Sequence, residues 1–206
     1  MKYFSFIFLF LFFSCAEKES VQLPLSNVTI VEKVTDLTPV YVFFKIEGKD
    51  TIADVNRKNT IISTNWVFNI DKRLPLKLVI PQVIKLQEKK RKDSDYKNEL
   101  AQNYYTYMDS VKKNLAFISF EKVYYKMEKP KSSFIVFFDK KNQIYVDGFS
   151  GNREELKSFL KSLPKDQGGI IQFGFSKDLS YGVYLQNKIF IESLNLEAKS
   201  AEEFVY

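Results

Sequence analysis

The chain opens on an apolar run, Phe4 to Phe13, interrupted only by Ser5. At about ten residues it is half the length a bilayer-spanning helix needs. Beyond it the apolar positions fall into short runs and stripes. Val40 to Ile46, rich in aromatic and β-branched residues, predicts a buried strand, and Gly48-Lys49-Asp50 turns it into a second, Thr51 to Val55. Trp66 to Ile70 predicts a third strand, ending at Asp71-Lys72-Arg73-Leu74-Pro75. Val79, Val83 and Leu86, flanked by Ile80 and Ile84, recur at helical spacing, and Pro81 in a first turn places the helix start near Leu78. A second helix is predicted over Asp93 to Lys113, capped by Ser94 or Asp95, with Tyr96, Leu100, Tyr104, Tyr107, Met108 and Val111 as its buried stripe.

Leu115 to Phe120 and Lys122 to Met127 predict two more strands, closed by Glu128-Lys129-Pro130-Lys131. A second series follows. Phe134 to Phe138 turns at Asp139 to Asn142 into Gln143 to Asp147, and Asn152 caps a helix bearing Leu156, Phe159, Leu160 and Leu163 that Pro164 stops. Ile170 to Phe175 predicts a strand, Ser180 to about Leu194 a helix, and Glu203 to Tyr206 a closing strand.

Composition narrows the chemistry. With 20 Phe, 12 Tyr and only 7 Gly and 6 Pro, the chain has ample material for a packed core. It contains no histidine, which removes Ser-His-Asp and Cys-His catalysis, imidazole metal ligation and the commonest general base at neutral pH. Carboxylate-only enzymes pass this filter. The net charge of +6 is a modest excess, compatible with anionic headgroups or wall polymer.

At the start, Lys2, the apolar run and Ser14-Cys15 together resemble a bacterial lipoprotein signal peptide, with Phe12 where the lipobox usually has Leu. The resemblance implies cleavage between Ser14 and Cys15 and acylation of Cys15, the one cysteine in the chain. Two or more acyl chains, at about 0.8 kcal/mol per buried CH₂, make a lasting anchor. Acylation would leave no free thiol for disulfides, catalysis or metal binding. Residues 1–14 are then the signal peptide and 15–38 a lipidated tether, and Ala16, Glu17 and Glu19 resemble outer-membrane sorting signals. The expected location is the cell envelope, as an outer-membrane lipoprotein facing periplasm or cell surface.

The two halves of the body echo each other. Val42-Phe43-Phe44 and Thr51-Ile52 match Val136-Phe137-Phe138 and Gln143-Ile144, and the stretch Phe68 to Leu76 matches Phe173 to Tyr181. The expected fold class is α+β: two small two-layer α/β units related by an internal repeat, over residues 39–128 and 131–206, each built as strand-turn-strand, helix, strand, helix, strand. Ile144-Tyr145-Val146-Asp147-Gly148, Glu154-Glu155-Leu156 and Lys177-Asp178-Leu179-Ser180-Tyr181-Gly182 resemble the periplasmic domain of the ExbD/TolR family, with Ile70 to Leu76 as a weaker echo. The first half has no room between Asn56 and Trp66 for that family's first helix, and Asp93 to Lys113 stands as an insertion. The family's membrane-spanning helix and its aspartate have no counterpart here, so the resemblance implies a contact role without energy transduction.

These readings converge on a non-catalytic, membrane-anchored interaction module of the cell envelope, accessory to an ExbD/TolR-type transport system or to the wall. The expected partners are the bilayer through acylated Cys15, an envelope protein or peptidoglycan, and a second copy through a sheet edge, with no nucleic acid, metal or cofactor. The basic run Lys85, Lys89, Lys90, Arg91 and Lys92 is either a solvated helix end or an anionic contact patch. Asp71 beside Lys72 and Arg73, and Asp178 beside Lys177, read as ion pairs and turn formers. The alternative is a glycan-binding or glycan-acting surface lipoprotein using carboxylates and the exposed share of Tyr104, Tyr105, Tyr107, Tyr124 and Tyr125.

Overall fold

The computed structural model describes residues 20–56, 60–92, 98–131, 134–146, 148–162, 170–196 and 199–206. Ser14 and Cys15, with the rest of the apolar leader, lie outside these residues, as do Asp147, Leu163 and Pro164. Among the described residues the fold is mixed α/β, with three helices and two mixed sheets of six strands each.

The first sheet takes β1 (Leu25–Ser26), β2 (Leu37–Glu47), β3 (Asp50–Asn56), β4 (Asn65–Ile70), β5 (Asn103–Asp109) and β6 (Leu115–Ser119). Its order is β1-β5-β4-β2-β3, with β6 on the other side of β5. The second takes β7 (Tyr124–Lys126), β8 (Ile135–Phe138), β9 (Ile144–Val146), β10 (Phe149–Gly151), β11 (Ile171–Phe175) and β12 (Lys199–Val205), ordered β10-β9-β8-β11-β12-β7. Helix α1 (Leu76–Lys92) follows β4, α2 (Arg153–Ser162) follows β10, and α3 (Tyr181–Ser193) follows β11.

In both sheets a hairpin's first strand pairs in parallel with the strand before a helix, which pairs in parallel with the strand after it. Val40 stands beside Phe68 and Val42 beside Ile70, as Val136 stands beside Phe173 and Phe138 beside Phe175. By this register Val40 and Val42 stand where Val136 and Phe138 do, two residues from the match read in the sequence, an offset that keeps the same face toward the core. The amide of Asp71 bonds the Val42 carbonyl (3.0 Å), and that of Ser176 bonds Phe138 in the equivalent place (2.8 Å).

The halves meet at the turns before α1 and α3. Leu76 N–H donates to Leu179 O (2.9 Å) and Tyr181 N–H to Leu74 O (2.7 Å); Lys77 N–H donates to Lys177 O (2.8 Å) and Gly182 N–H to Lys72 O (3.0 Å). Each bond is answered by its counterpart with the two turns exchanged, the pattern of a self-complementary twofold contact. Close approach is needed here: a Cβ on Gly182 would come within 3.0 Å of Lys72 Cβ and 3.2 Å of its carbonyl oxygen.

One apolar cluster spans both halves, and α3 touches both sheets within it. The Tyr184 ring meets Phe175 edge-on at 4.9 Å and Tyr105 at 6.4 Å. Tyr105 stacks on Phe120 at 3.8 Å. Fully burying a side chain such as Phe68 or Ile70 contributes about 1.5–3 kcal/mol relative to leaving it in water.

The structure corrects four expectations. Of the helix predicted over 93–113, Ser94, Asp95 and Tyr96 lie outside the described residues; residues 98–113 are instead turns on either side of β5, where Asn103, Tyr105, Tyr107 and Asp109 point inward at strand alternation, and Leu100 and Val111, assigned to the buried stripe, are 84% and 71% exposed. Helical spacing and β alternation both fit Tyr104 to Met108, and parallel pairing with β4 decides between them. Helix α1 begins at Leu76, ahead of the predicted Leu78, so Pro81 sits in its second turn. The amide it lacks leaves the Lys77 carbonyl, at the solvent side, without its helical donor. The stretch read as tether is docked from Gln22 onward: Lys72 N–H bonds Gln22 O, Met108 N–H bonds Pro24 O, β1 pairs with β5, and Val31 bridges Phe117. Likewise β7, placed by sequence in the first unit, is the edge strand of the second sheet.

Candidate interaction surface

The basic run on α1 does not form one patch. Lys90 is only 6% exposed; its ammonium bonds Gln102 O (3.1 Å) and Asn103 Oδ1 (3.3 Å) and lies 5.4 Å from the centre of the Trp66 ring. Burial lowers its pKa to about 8, against a weaker opposing pull from Glu121. Arg91 donates to Glu121 O (2.9 Å) and covers Tyr124 at 4.6 Å. Lys89 reaches Thr60 (3.3 Å), Lys92 pairs loosely with Glu88 (3.9 Å), and Lys85 is exposed. The five residues thus divide between the core, a strand connection and solvent, because seventeen residues of helix turn successive cations to different sides.

Of the tyrosines in the glycan reading, Tyr105, Tyr107 and Tyr125 are buried, Tyr104 is half-buried, and Tyr124 is 51% exposed with Arg91 over its ring. Asp71 is fully buried at the end of β4 and accepts from Gln22 N–H, Arg73 N–H and two guanidinium nitrogens of Arg73. Burial pushes its carboxyl up, but these hydrogen bonds more than offset that and hold it below the ordinary carboxylate range. Asp178 pairs with Lys77 of the other half (2.9 Å) on the surface. Both carboxylates are committed to turns. Among the described residues no three His, Cys, Asp or Glu side chains come together as a metal site, and no helix is long and apolar enough to cross a membrane.

The fold leaves open sheet edges and two faces, and of the end strands β3, β7 and β10 the longest is β3. Among the described residues β3 pairs only with β2, and its residues Thr51 to Val55 are half-buried along the free side of the first sheet. A free edge is a row of backbone donors and acceptors available to an added strand. Next to it, Tyr41 and Phe43 stack at 5.8 Å on the face turned away from α1. On the corresponding face of the second sheet Phe137 and Tyr206 stack at 4.8 Å, beside Ile135 and the exposed Tyr145 in a shallow groove of about 620 Å³. Gly174 forms the floor beneath that pair.

Two groupings had no motif in the sequence. Tyr105, Tyr125 and Tyr184 link their hydroxyls in series (2.8 and 3.0 Å); Tyr184 donates to Glu203 (2.7 Å), and Glu203 pairs with Lys188, all buried. Burial, and then the Glu203 charge, push the Tyr125 and Tyr184 hydroxyls well above the ordinary tyrosine value, so the chain stays protonated. The linear signal is Lys188, the one cation of α3, one turn after Tyr184. The second grouping is Arg153, Asn187 and Asn142 beside a groove where the two halves meet. Compared with protein-family models, curated proteins and solved structures, the chain matches none.

Proposed function

We propose that this protein is a non-catalytic, lipid-anchored interaction module of the cell envelope, built of two copies of one α/β unit, that makes its contacts through the free edge of its first sheet. The observation that carries the contact role is β3: seven residues long, paired on one side, and flanked by the Tyr41–Phe43 face. The matched strand order of the halves and the reciprocal bonds at residues 72–77 and 177–182 support the duplicated unit. The anchor rests on Cys15 and the leader before it.

The segment from Gln22 lies against the body, which leaves only a short stretch between Cys15 and the docked chain. At about 3.3–3.6 Å per residue the body is held within a few tens of ångströms of the acyl chains, a range suited to partners at the membrane face. The added strand would come from an envelope protein or from a second copy. Metabolic labelling with an alkyne fatty acid tests the anchor: the wild-type protein takes label and sediments with membranes, and Cys15→Ser abolishes both. Label retained in Cys15→Ser would refute it.

A further inference from the structure

Arg153 is held in an unusual way. It is the first residue of α2, and its Nε and Nη2 both donate to Asn187 Oδ1, at 2.9 and 2.7 Å. Asn187 is fully buried on α3, and its own amide donates to Asn142 Oδ1 at 2.7 Å, which fixes the carbonyl oxygen toward Arg153. The guanidinium also lies 5.8 Å over the Phe190 ring. Thus a neutral buried amide orients the cation where a carboxylate would ordinarily sit.

No carboxylate lies within ion-pair distance of Arg153 among the described residues. Burial lowers its pKa, and no neighbouring acid opposes that shift. Partly desolvated cations are costly unless paired. Of the five N–H donors of the fork, two are used, and three remain for a ligand.

Those donors border a groove of about 600 Å³ between the halves. The β1 segment from Leu25 to Val28 and Ser110 form one wall; Arg153, Lys157, Gln186, Ile189 and Phe190 form the other, with the carboxylate of Glu154 at the same rim. Gln186 spans the gap by donating to Leu25 O (3.0 Å), so the walls are held at a fixed separation. A second recess, of about 490 Å³, shares Arg153, Glu154 and Gln186 and opens toward Asn142 and Asn152. Polar Ser26, Asn27 and Ser193 alternate with Val28, Ile189 and Phe190 along the larger groove, giving both hydrogen-bonding and apolar contact to whatever bears the anion.

We propose that this groove is a binding site for an oxyanion, carboxylate or phosphate, on an amide or apolar stem, with Arg153 as its bidentate anchor and Asn187 as the residue that positions Arg153. Planar, two-point recognition is what a guanidinium supplies and an ammonium does not. The site stands apart from the β3 edge and does not depend on the lipid anchor.

Nitrogen-detected NMR on the full-length protein tests it, following Arg153 Nε–H and the Asn187 side-chain amide. The probes are inorganic phosphate and an N-acetylated tripeptide offered with a free C-terminal carboxylate or as its amide. Saturable shifts of both reporters with the free-acid peptide and not its amide identify a peptide carboxylate; saturation with phosphate alone identifies a free oxyanion. In either case Arg153→Gln weakens binding at least tenfold and Arg153→Lys restores it only in part, while Lys45→Gln, toward the opposite edge of the first sheet, leaves it unchanged. Absence of saturation with any probe, or equal binding by folded Arg153→Gln, would overturn the site.

Discussion

Lys90 carries its ammonium into the body beside Trp66, and the cost of that burial is readable as a pH dependence. Its pKa in the folded protein is about 8, against about 10.5 unfolded. Between these values the unfolded chain binds the extra proton, so stability rises with pH across that window. Below pH 8 Lys90 is protonated in both states and the penalty is present in full. The difference amounts to at most about 3 kcal/mol. Denaturant titrations of wild type and Lys90→Met from pH 7 to 10.5 should show wild type gaining on the variant as pH rises. Parallel curves would place the ammonium in water.

Among the elements, α2 depends most on its first turn. Asn152 Oδ1 accepts from the amides of Glu154 and Glu155 (3.0 and 3.1 Å), and Glu155 reaches back to Asn152 N–H (2.7 Å), a reciprocal cap. Asn152→Ala should cost about 1 kcal/mol by chemical denaturation. β5 gives a sharper contrast, because a helix and a strand assign opposite roles to its surroundings. Leu100→Lys should change stability by no more than about 0.5 kcal/mol, and Tyr107→Ala should cost about 3–5 kcal/mol; a helix over 93–113 would make both costly.

The strands and helices with a single period, such as β2, β4, α1 and α3, were legible in the sequence to within a few residues. β5 was not, since tyrosines at 104, 105 and 107 satisfy either period and the deciding partner, β4, is more than thirty residues away. The docking of Gln22 to Val31 was hidden for the same reason: Pro24 and Asn27 break its apolar residues Leu23, Leu25, Val28, Ile30 and Val31 into pieces too short to carry a period, and its bonds go to distant backbone. Charge runs misled where the helix screw separated neighbours, as at Lys89, Lys90 and Arg91. Arg153 left no linear signal, because the residues that make it a site, Asn187 and Asn142, come from other elements.

At the scale of the molecule, the buried chain Tyr105, Tyr125, Tyr184, Glu203 and Lys188 crosses from the first sheet through α3 to the second. Tyr105 pairs with Phe68 in the first sheet and Glu203 with Phe173 in the second, so the network joins the two sheets. Breaking the pair from one side, with Glu203→Leu or Lys188→Met, should cost about 3–5 kcal/mol, and the double variant should recover much of that. A double-mutant cycle in denaturant measures the coupling; additive losses would mean the two groups do not share a desolvated pair.

The proposed contact role is tested most directly at β3 in intact envelopes. A photocrosslinking residue at position 54, on the free strand and paired only with surface Lys45, should capture one discrete partner, whether an envelope protein or a second copy. The adduct should disappear in Cys15→Ser, where the anchor is removed. A control probe at exposed Lys122, away from both the edge and the Arg153 groove, should not give the same adduct. No discrete adduct from position 54, or an equal one from position 122, would contradict a contact module working through this edge.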